Sequence, residues 1–399
     1  MTDRARIAVR TSSVLAAAAL LLGGATTLPA QQGSPVRFEV RKLYLDANEG
    51  IAVADVNNDG LPDIIAGRNW YASPDFVPRP VRLIEDWNGY VESNADHAYD
   101  VNGDGWVDVI AGSFNPTEVY WYQNPGEQGL LLGHVWTRRL LVDTEASQNE
   151  LTFLHDIDGD GVPEWIANSW ARNAPVYAWS LQTAGEGAPT MTRHVISEVG
   201  NRHGMGFGDI NGDGREDIVL GGGWLERPEG DPFAQLWTFH QDWEPIEAST
   251  PMLVRDLNGD GRADLIVGAG HDYGLWWWEQ LEPAADGSTR WQRHEIDMSF
   301  SQVHALHLAD VDGDGEDELI TGKRRWAHNL TGDPGVNDPA VIHYFDWDPA
   351  TMTWTRHVIA EGDVGTGLQI RTADFNGDGR VDIAVAGKSG TYVLINQGR

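Results

Sequence analysis

The sequence predicts an all-β fold, a seven-bladed β-propeller with four antiparallel strands per blade. Three observations carry that prediction. A nine-residue acidic pattern recurs seven times along the 399 residues. Successive copies begin 45, 56, 53, 47, 54 and 64 residues apart, and a repeat period of this length marks a solenoid or propeller. Each copy is flanked by short β-branched and aromatic runs instead of helical patterns.

In chain order, the first element is MTDRARIAVRTSSVLAAAALLLGGATTLPAQQ. Arg4, Arg6 and Arg10 precede the apolar stretch Val14–Leu22, and Pro29-Ala30 supplies a small residue for cleavage. Residues 1–30 therefore read as a secretory signal peptide, too short for a membrane span. The expectation is an exported protein, periplasmic or extracellular, with no transmembrane segment and one propeller domain over residues 31–399. Next comes FEVRKLYLD (Phe38–Asp46), which has the form of a fourth strand with no blade before it. The last repeat stops after its third strand, at YVLINQGR. The N-terminal strand is thus expected to complete the last blade, closing the ring and leaving no open sheet edge.

Within each repeat an apolar strand (IAVADV, LTFLHDI, MGFGDI, LHLADV) enters the acidic loop, and a second β-branched strand leaves it. A third, aromatic strand follows, as in VYWYQN, VYAWSL, LWWWEQ and IHYFDW. A fourth carries a basic signature: WTRRLLV, MTRHVIS, WQRHEID and WTRHVIA. Four such strands make a propeller blade. The outer strands of blades one and four are the least distinct. His194, His294 and His357 recur in the fourth strand and read as structural.

The loops are DVNNDGLPD, DVNGDGWVD, DIDGDGVPE, DINGDGRED, DLNGDGRAD, DVDGDGEDE and DFNGDGRVD. Their oxygen-bearing positions are Asp55, Asn57, Asp59 and Asp63; Asp100, Asn102, Asp104 and Asp108; Asp156, Asp158, Asp160 and Glu164; Asp209, Asn211, Asp213 and Asp217; Asp256, Asn258, Asp260 and Asp264; Asp310, Asp312, Asp314 and Glu318; Asp374, Asn376, Asp378 and Asp382. Hard oxygens at alternate positions around a sharp turn suit Ca2+, which takes six to eight of them. The sixth residue is glycine in every copy, where the backbone is expected to need positive φ. An EF-hand is excluded, because its twelfth position needs a glutamate and these copies hold Ala66, Ala111, Ala167, Leu220, Val267, Thr321 and Val385. Up to seven structural Ca2+ sites are expected.

Composition agrees. There are no cysteines, so an exported chain is stapled by something other than disulfides. Of its 60 acidic residues 23 are loop ligands, so seven Ca2+ ions would bring the net charge of −32 to about −18. That excess excludes nucleic acid as a partner, since phosphate contacts need clustered Lys and Arg. No nucleophile signature, phosphate loop or nucleotide motif is present.

With its loops and with stretches such as NRHGMGFGDINGDGREDI, WLERPEGDP, GHDYGLWWWEQLEP, ITGKRRWAHN and GTGLQIRTADFNGDG, the chain resembles the FG-GAP/VCBS repeat propellers of secreted bacterial proteins. The resemblance covers residues 38–399 and implies the propeller and its calcium loops. A related propeller forms part of fungal aldos-2-ulose dehydratase, and propellers of other kinds are polysaccharide lyases. Such likeness of fold does not fix a function.

If the acidic loops share one face, two columns of the repeat mark the opposite mouth of the channel. Six residues before each first aspartate stand Glu49, Asn94, Glu150, His203, Thr250, His304 and Leu368. After the second strand stand Arg68-Asn69-Trp70, Ser113, Ser169-Trp170, Gly223-Trp224, His271-Asp272-Tyr273, Lys323-Arg324-Arg325 and Lys388. Residues that break a repeat at a fixed register serve something besides the blade. Glu49, Trp70, His97, Glu150, Trp170, Trp224 and His271 are therefore the candidate ligand-binding residues. Tryptophan planes stack on sugar rings and Arg or Lys pairs with carboxylates, so a carbohydrate-like, anionic ligand is expected there. In a lyase or dehydratase, His203 or His304 would be the base and Arg324 or Lys323 the electrostatic partner. A variant has Glu49, Glu150, His203 and His304 hold a second metal such as Zn2+. An adhesion or scaffold propeller with no small ligand is the third reading. The ligand, the presence of turnover and the oligomeric state are not encoded in these patterns.

Overall fold

In the fourth loop the Asp209 carboxylate accepts the amides of Gly212, Asp213 and Gly214 at 2.8–3.1 Å, and the Asn211 side chain accepts that of Asp213 at 3.0 Å. Such a turn needs the left-handed region twice, and Gly212 and Gly214 take it at φ +75° and +83°. The ninth acid does something else. Asp217 accepts the Ile210 amide on one oxygen and the Arg227 amide on the other, both at 2.9 Å, tying the start of the loop to the end of the third strand. Asp63, Asp108, Asp264 and Asp382 form the same clasp. Burial pushes these carboxyls up, to about 7 for Asp108 and about 6 for Asp217.

This geometry comes from a computed structural model that describes residues 35–87, 89–182, 188–285, 287–325 and 332–399. The candidate signal peptide, residues 1–30, lies outside the described residues. Seven four-stranded antiparallel sheets follow one another along the chain. Their innermost strands are Ile51–Ala54, Ala95–Tyr99, Asn149–His155, Met205–Gly208, Leu253–Arg255, Val303–Ala309 and Ile370–Ala373. The outermost strands of blades one and four are only three residues long, Pro78–Pro80 and Thr238–His240, in keeping with their faint sequence pattern. Closure is as expected: Phe38–Tyr44 pairs antiparallel with Gly390–Asn396, Phe38 opposite Asn396 and Tyr44 opposite Thr391. Two insertions break the repeat. A hairpin, Asp86–Trp87 with Tyr90–Val91, precedes blade two, and a short helix, Gly126–Leu131, precedes that blade's outer strand.

The core is divided among the seams between blades. One buried cluster joins blades one and two around Ile65, Trp70 and Tyr122, and another joins blades six and seven around Ile320, Tyr344 and Leu394. The same holds at each of the other five junctions, including that of blades seven and one, where Ile51 and Tyr71 meet Ala384 and Val393. Each buried Ile, Leu or Phe contributes about 1.5–3 kcal/mol, so no blade is stable without its neighbours. The basic strands explain themselves here. Arg138, Arg193 and Arg293 lie over Tyr120, Tyr177 and Trp276 at 4.7, 5.3 and 5.2 Å, covering the aromatic third strands. His194, His294 and His357 bond to Ser180, Glu279 and Asp346 of those strands, a structural role. A small cluster of Ala95, Leu151 and Leu368 packs among the innermost strands of blades two, three and seven.

Candidate metal centre at the channel mouth

Four side chains from four consecutive blades converge on one point. Glu150 is the second residue of the innermost strand of blade three, and His304 holds the same place in blade six. His203 sits in the turn before Met205–Gly208, and His271 in the turn that follows Asp264–Gly268 of blade five. One ligand atom from each of the four lies within 4.8 Å of the others. His203 Nε2 is 3.0 Å from His304 Nε2 and 3.1 Å from His271 Nε2. Glu150 Oε1 is 3.1 Å from His304 Nε2 and 3.7 Å from His203 Nε2. Gly270 makes the approach possible, since a Cβ there would stand 2.7 Å from His203 Cε1.

The far nitrogens set the tautomers. His203 Nδ1 is 2.5 Å from the Ala248 carbonyl, which only accepts, so the proton is on Nδ1 and Nε2 presents a lone pair. His271 Nδ1 faces the Asp333 carboxylate at 3.3 Å, with the same result. Two lone pairs thus point at each other across 3.1 Å, an arrangement that repels unless a cation lies between. Tetrahedral ligands at the usual Zn–N distance stand roughly 3.3 Å apart, so the set fits a divalent transition metal. A carbonyl or carboxylate on the other ring nitrogen is the usual outer shell of a metal-bound imidazole. Burial pushes the His271 imidazole down to about 4, helped by His203 and Arg324, and holds that of His304 well below its ordinary value.

The ligands all come from blades three to six, which leaves one side of the point to charged groups of blades six, seven and one. Arg324 Nη1 is 3.7 Å from Glu150 Oε1, and its Nε is 3.6 Å from Glu49 Oε1. Neither nitrogen, nor Glu49 Oε1, has a hydrogen-bond partner among the described residues, although all three are buried. Lys388 Nζ is 3.3 Å from Glu49 Oε2 and lies over the Tyr90 ring at 4.6 Å. Gln369 fixes the frame, its Oε1 accepting the amides of Ile51 and Asp96 at 2.8 and 3.0 Å.

The site residues anticipated from sequence divide accordingly. Glu49, Glu150, His203, His271, His304 and Arg324 come together. Trp170 is 42% exposed and lines a cleft with His203. Lys323 is buried beside them, but its Nζ donates to the Arg324 carbonyl at 3.0 Å. Trp70 and Trp224 leave the mouth for the seams between blades, where Arg79 covers one ring and His240 stacks on the other at 4.3 Å. His97 stands two residues along its strand from Ala95, bonded to Thr152 at 2.8 Å and pushed by burial down to about 3. His203 and His304, anticipated as bases or as ligands of a second metal, both lie in the four-residue cluster, where an imidazole that bound a metal could not take a substrate proton. Sequence reading missed Tyr90, Asp333 and Gln369; Tyr90 lies in the hairpin inserted before blade two and Asp333 in the connection between the second and third strands of blade six, where the repeat sets no register.

Fold and loops together define a propeller of acidic-loop repeats with a polar axial site. The FG-GAP-like repeat matches residues 100–167, 156–220 and 256–321, so these stretches of the propeller are similar to that repeat. No curated protein matches it significantly. Among solved structures, the exotype rhamnogalacturonan lyase YesX aligns at 12% identity and TM-score 0.49, over 91% of this chain and 73% of that one. The V. cholerae biofilm matrix protein Bap1 aligns at 12% identity and TM-score 0.48, over 91% and 92%. The Bacillus licheniformis rhamnogalacturonan lyase PL11 aligns at 13% identity and TM-score 0.47, over 91% and 76%.

Proposed function

We propose that this is an exported propeller whose blades are braced by Ca2+ and whose channel mouth holds a divalent transition metal on Glu150, His203, His271 and His304, there to bind and act on a carbohydrate-like, anionic ligand. For calcium, the support is the donor set: carboxylate oxygens of Asp310, Asp312, Asp314 and Glu318 lie within 4.8 Å of one another, as do those of Asp156, Asp158 and Glu164. For the second metal, one observation carries the reading, the facing lone pairs of His203 and His271 beside a carboxylate.

A bound metal would supply Lewis-acid polarisation of a ligand oxygen. The chain's own groups supply the rest. Glu49, with one oxygen lacking a hydrogen-bond partner, is the base for a proton on a carbon next to a carbonyl or carboxylate. The C–H pair moves onto the adjacent oxygen as an enolate, and the Arg324 guanidinium stabilises that charge. Lys388 Nζ, 3.3 Å from Glu49 Oε2, holds that carboxylate in place. Departure of the oxygen substituent on the next carbon, which takes up the proton held by Glu49 as its C–O bond breaks, would then give an unsaturated product, the chemistry of a lyase or dehydratase.

Metal analysis of the calcium-loaded protein tests the reading. The expected result is one transition metal per chain in the native protein and none in His203→Ala. That variant should melt almost where the native protein does and lose at least tenfold in ligand binding or turnover, equivalent to about 1.4 kcal/mol. Native protein that takes up no transition metal would refute the centre. Ultraviolet absorbance from unsaturated products separates turnover from binding alone.

A further inference from the structure

A second cleft opens beside the metal ligands, lined by Trp170, Ala171, Arg172, Arg202, His203 and Glu247 and enclosing about 150 Å³. In a chain with 28 basic against 60 acidic residues, two arginines here meet one glutamate. That glutamate is shared: Arg172 Nη2 pairs with Glu247 Oε1 at 3.2 Å. Arg202 is left with a buried Nε that has no hydrogen-bond partner among the described residues. The stem of Arg202 is fixed, because it crosses Gly221 and Gly222 so closely that a Cβ on Gly221 would stand 3.2 Å from Arg202 Cγ. Its backbone is held too, the Arg202 carbonyl accepting from Asn168 at 2.6 Å.

Trp170 forms the aromatic wall. Its amide donates to the Gln148 carbonyl at 2.8 Å, which sets the backbone, while the indole stays 42% exposed. The other tryptophans of its column, Trp70 and Trp224, are 3% exposed and serve the seams. An indole held out of a seam next to a guanidinium lacking an anion offers a stacking plane and a charge partner to one group. A sugar ring that bears a carboxylate meets both demands, and a neutral sugar meets only the first.

We infer that this cleft is an acidic-sugar subsite: one uronate residue of an oligosaccharide stacks on Trp170 and places its carboxylate on Arg202, with Arg172 at the rim, while the adjoining residue lies at the metal. The inference rests on the metal centre proposed above, because His203 is common to both and sets the distance from the subsite to the reacting sugar.

The test is calorimetric titration of the metal-loaded, calcium-replete protein with a trisaccharide of uronic acid units and with its methyl ester, which keeps the rings and removes the charge. The acid should bind at least tenfold more tightly than the ester. Trp170→Ala should weaken both ligands at least tenfold. Arg202→Gln should weaken the acid at least tenfold and the ester little. Metal content, measured on the same samples, should not change in either variant. Equal affinity for acid and ester, or native affinity in both variants, would overturn the subsite, as would failure of the metal-loaded protein to bind either trisaccharide. Those results leave the metal centre standing. A protein that carries no transition metal yet binds the acid through Trp170 and Arg202 would overturn the centre instead.

Discussion

His343 shows how much a single buried titratable group can do in this molecule away from the acidic loops and the histidine cluster. The ring is 5% exposed, meets the edges of Phe300 and Phe345, and its Nδ1 has no hydrogen-bond partner among the described residues. Burial, helped by the charge of Arg356, pushes the imidazole down to about 4 from an ordinary 6.5. The unfolded chain therefore takes up a proton that the folded chain refuses. Stability is at its full value above about pH 6.5 and falls as the pH drops toward 4, by at most about 3 kcal/mol for this group. His343→Leu should flatten that part of the pH profile, read as the denaturant midpoint between pH 7 and 4. A variant whose midpoint falls as steeply as the native protein's would show that the ring is protonated in the fold.

Within the blade, the aspartate at the ninth position of five loops separates two duties that the sequence pattern merges. Asp264 accepts the Leu257 amide at 3.2 Å and the Gln280 amide at 2.9 Å, joining the loop to the third strand of its own blade. Two bonds to one buried carboxylate are worth about 1.5–3 kcal/mol each, and Ala leaves both amides unpaired. Asp264→Ala should thus cost about 3–5 kcal/mol in denaturant unfolding even with calcium chelated, while Asp260→Ala, at a ligand position, should cost little more once calcium is gone. Equal losses for the two variants in chelator would refute the distinction. This clasp was not legible beforehand, because a period shows which positions recur and not which oxygen meets which amide. The strands, the turn glycines and the closing strand were legible, since period-two patterning and left-handed glycine are local consequences of backbone sterics. The mouth was half legible. A fixed register marked Glu150, His203 and His304, yet it also marked Trp70 and Trp224, because seam packing and ligand stacking ask for the same side chain. Tyr90 and Asp333 could not be found that way, being contributed by an inserted hairpin and by the connection between two strands of blade six.

For the whole molecule, stability is a property of the ring. Seven seams share the apolar core, and none belongs to one blade. Without metal, the acidic loops keep their carboxylates crowded on one end of a chain of net charge −32. A site that binds calcium only when folded adds roughly 3 kcal/mol at a hundredfold excess over Kd. Excess EDTA should therefore lower the melting temperature sharply and broaden the transition, as blades with different loops loosen at different temperatures. A melting curve unchanged by EDTA, in protein whose metal analysis finds no calcium, would remove calcium from the account.

The pairing of Phe38–Tyr44 with Gly390–Asn396 also sets an order of events. A chain is synthesised from its N-terminus, so the strand that is made first must wait for the strand made last. For the whole of that interval its amides and carbonyls have no strand to meet. Glu39, Arg41 and Lys42 put three charges on that waiting ribbon, and charge on an open edge discourages pairing with the wrong chain. The same residues that look incidental in the finished ring are, during biosynthesis, a guard on an edge that stays open until the last strand is made.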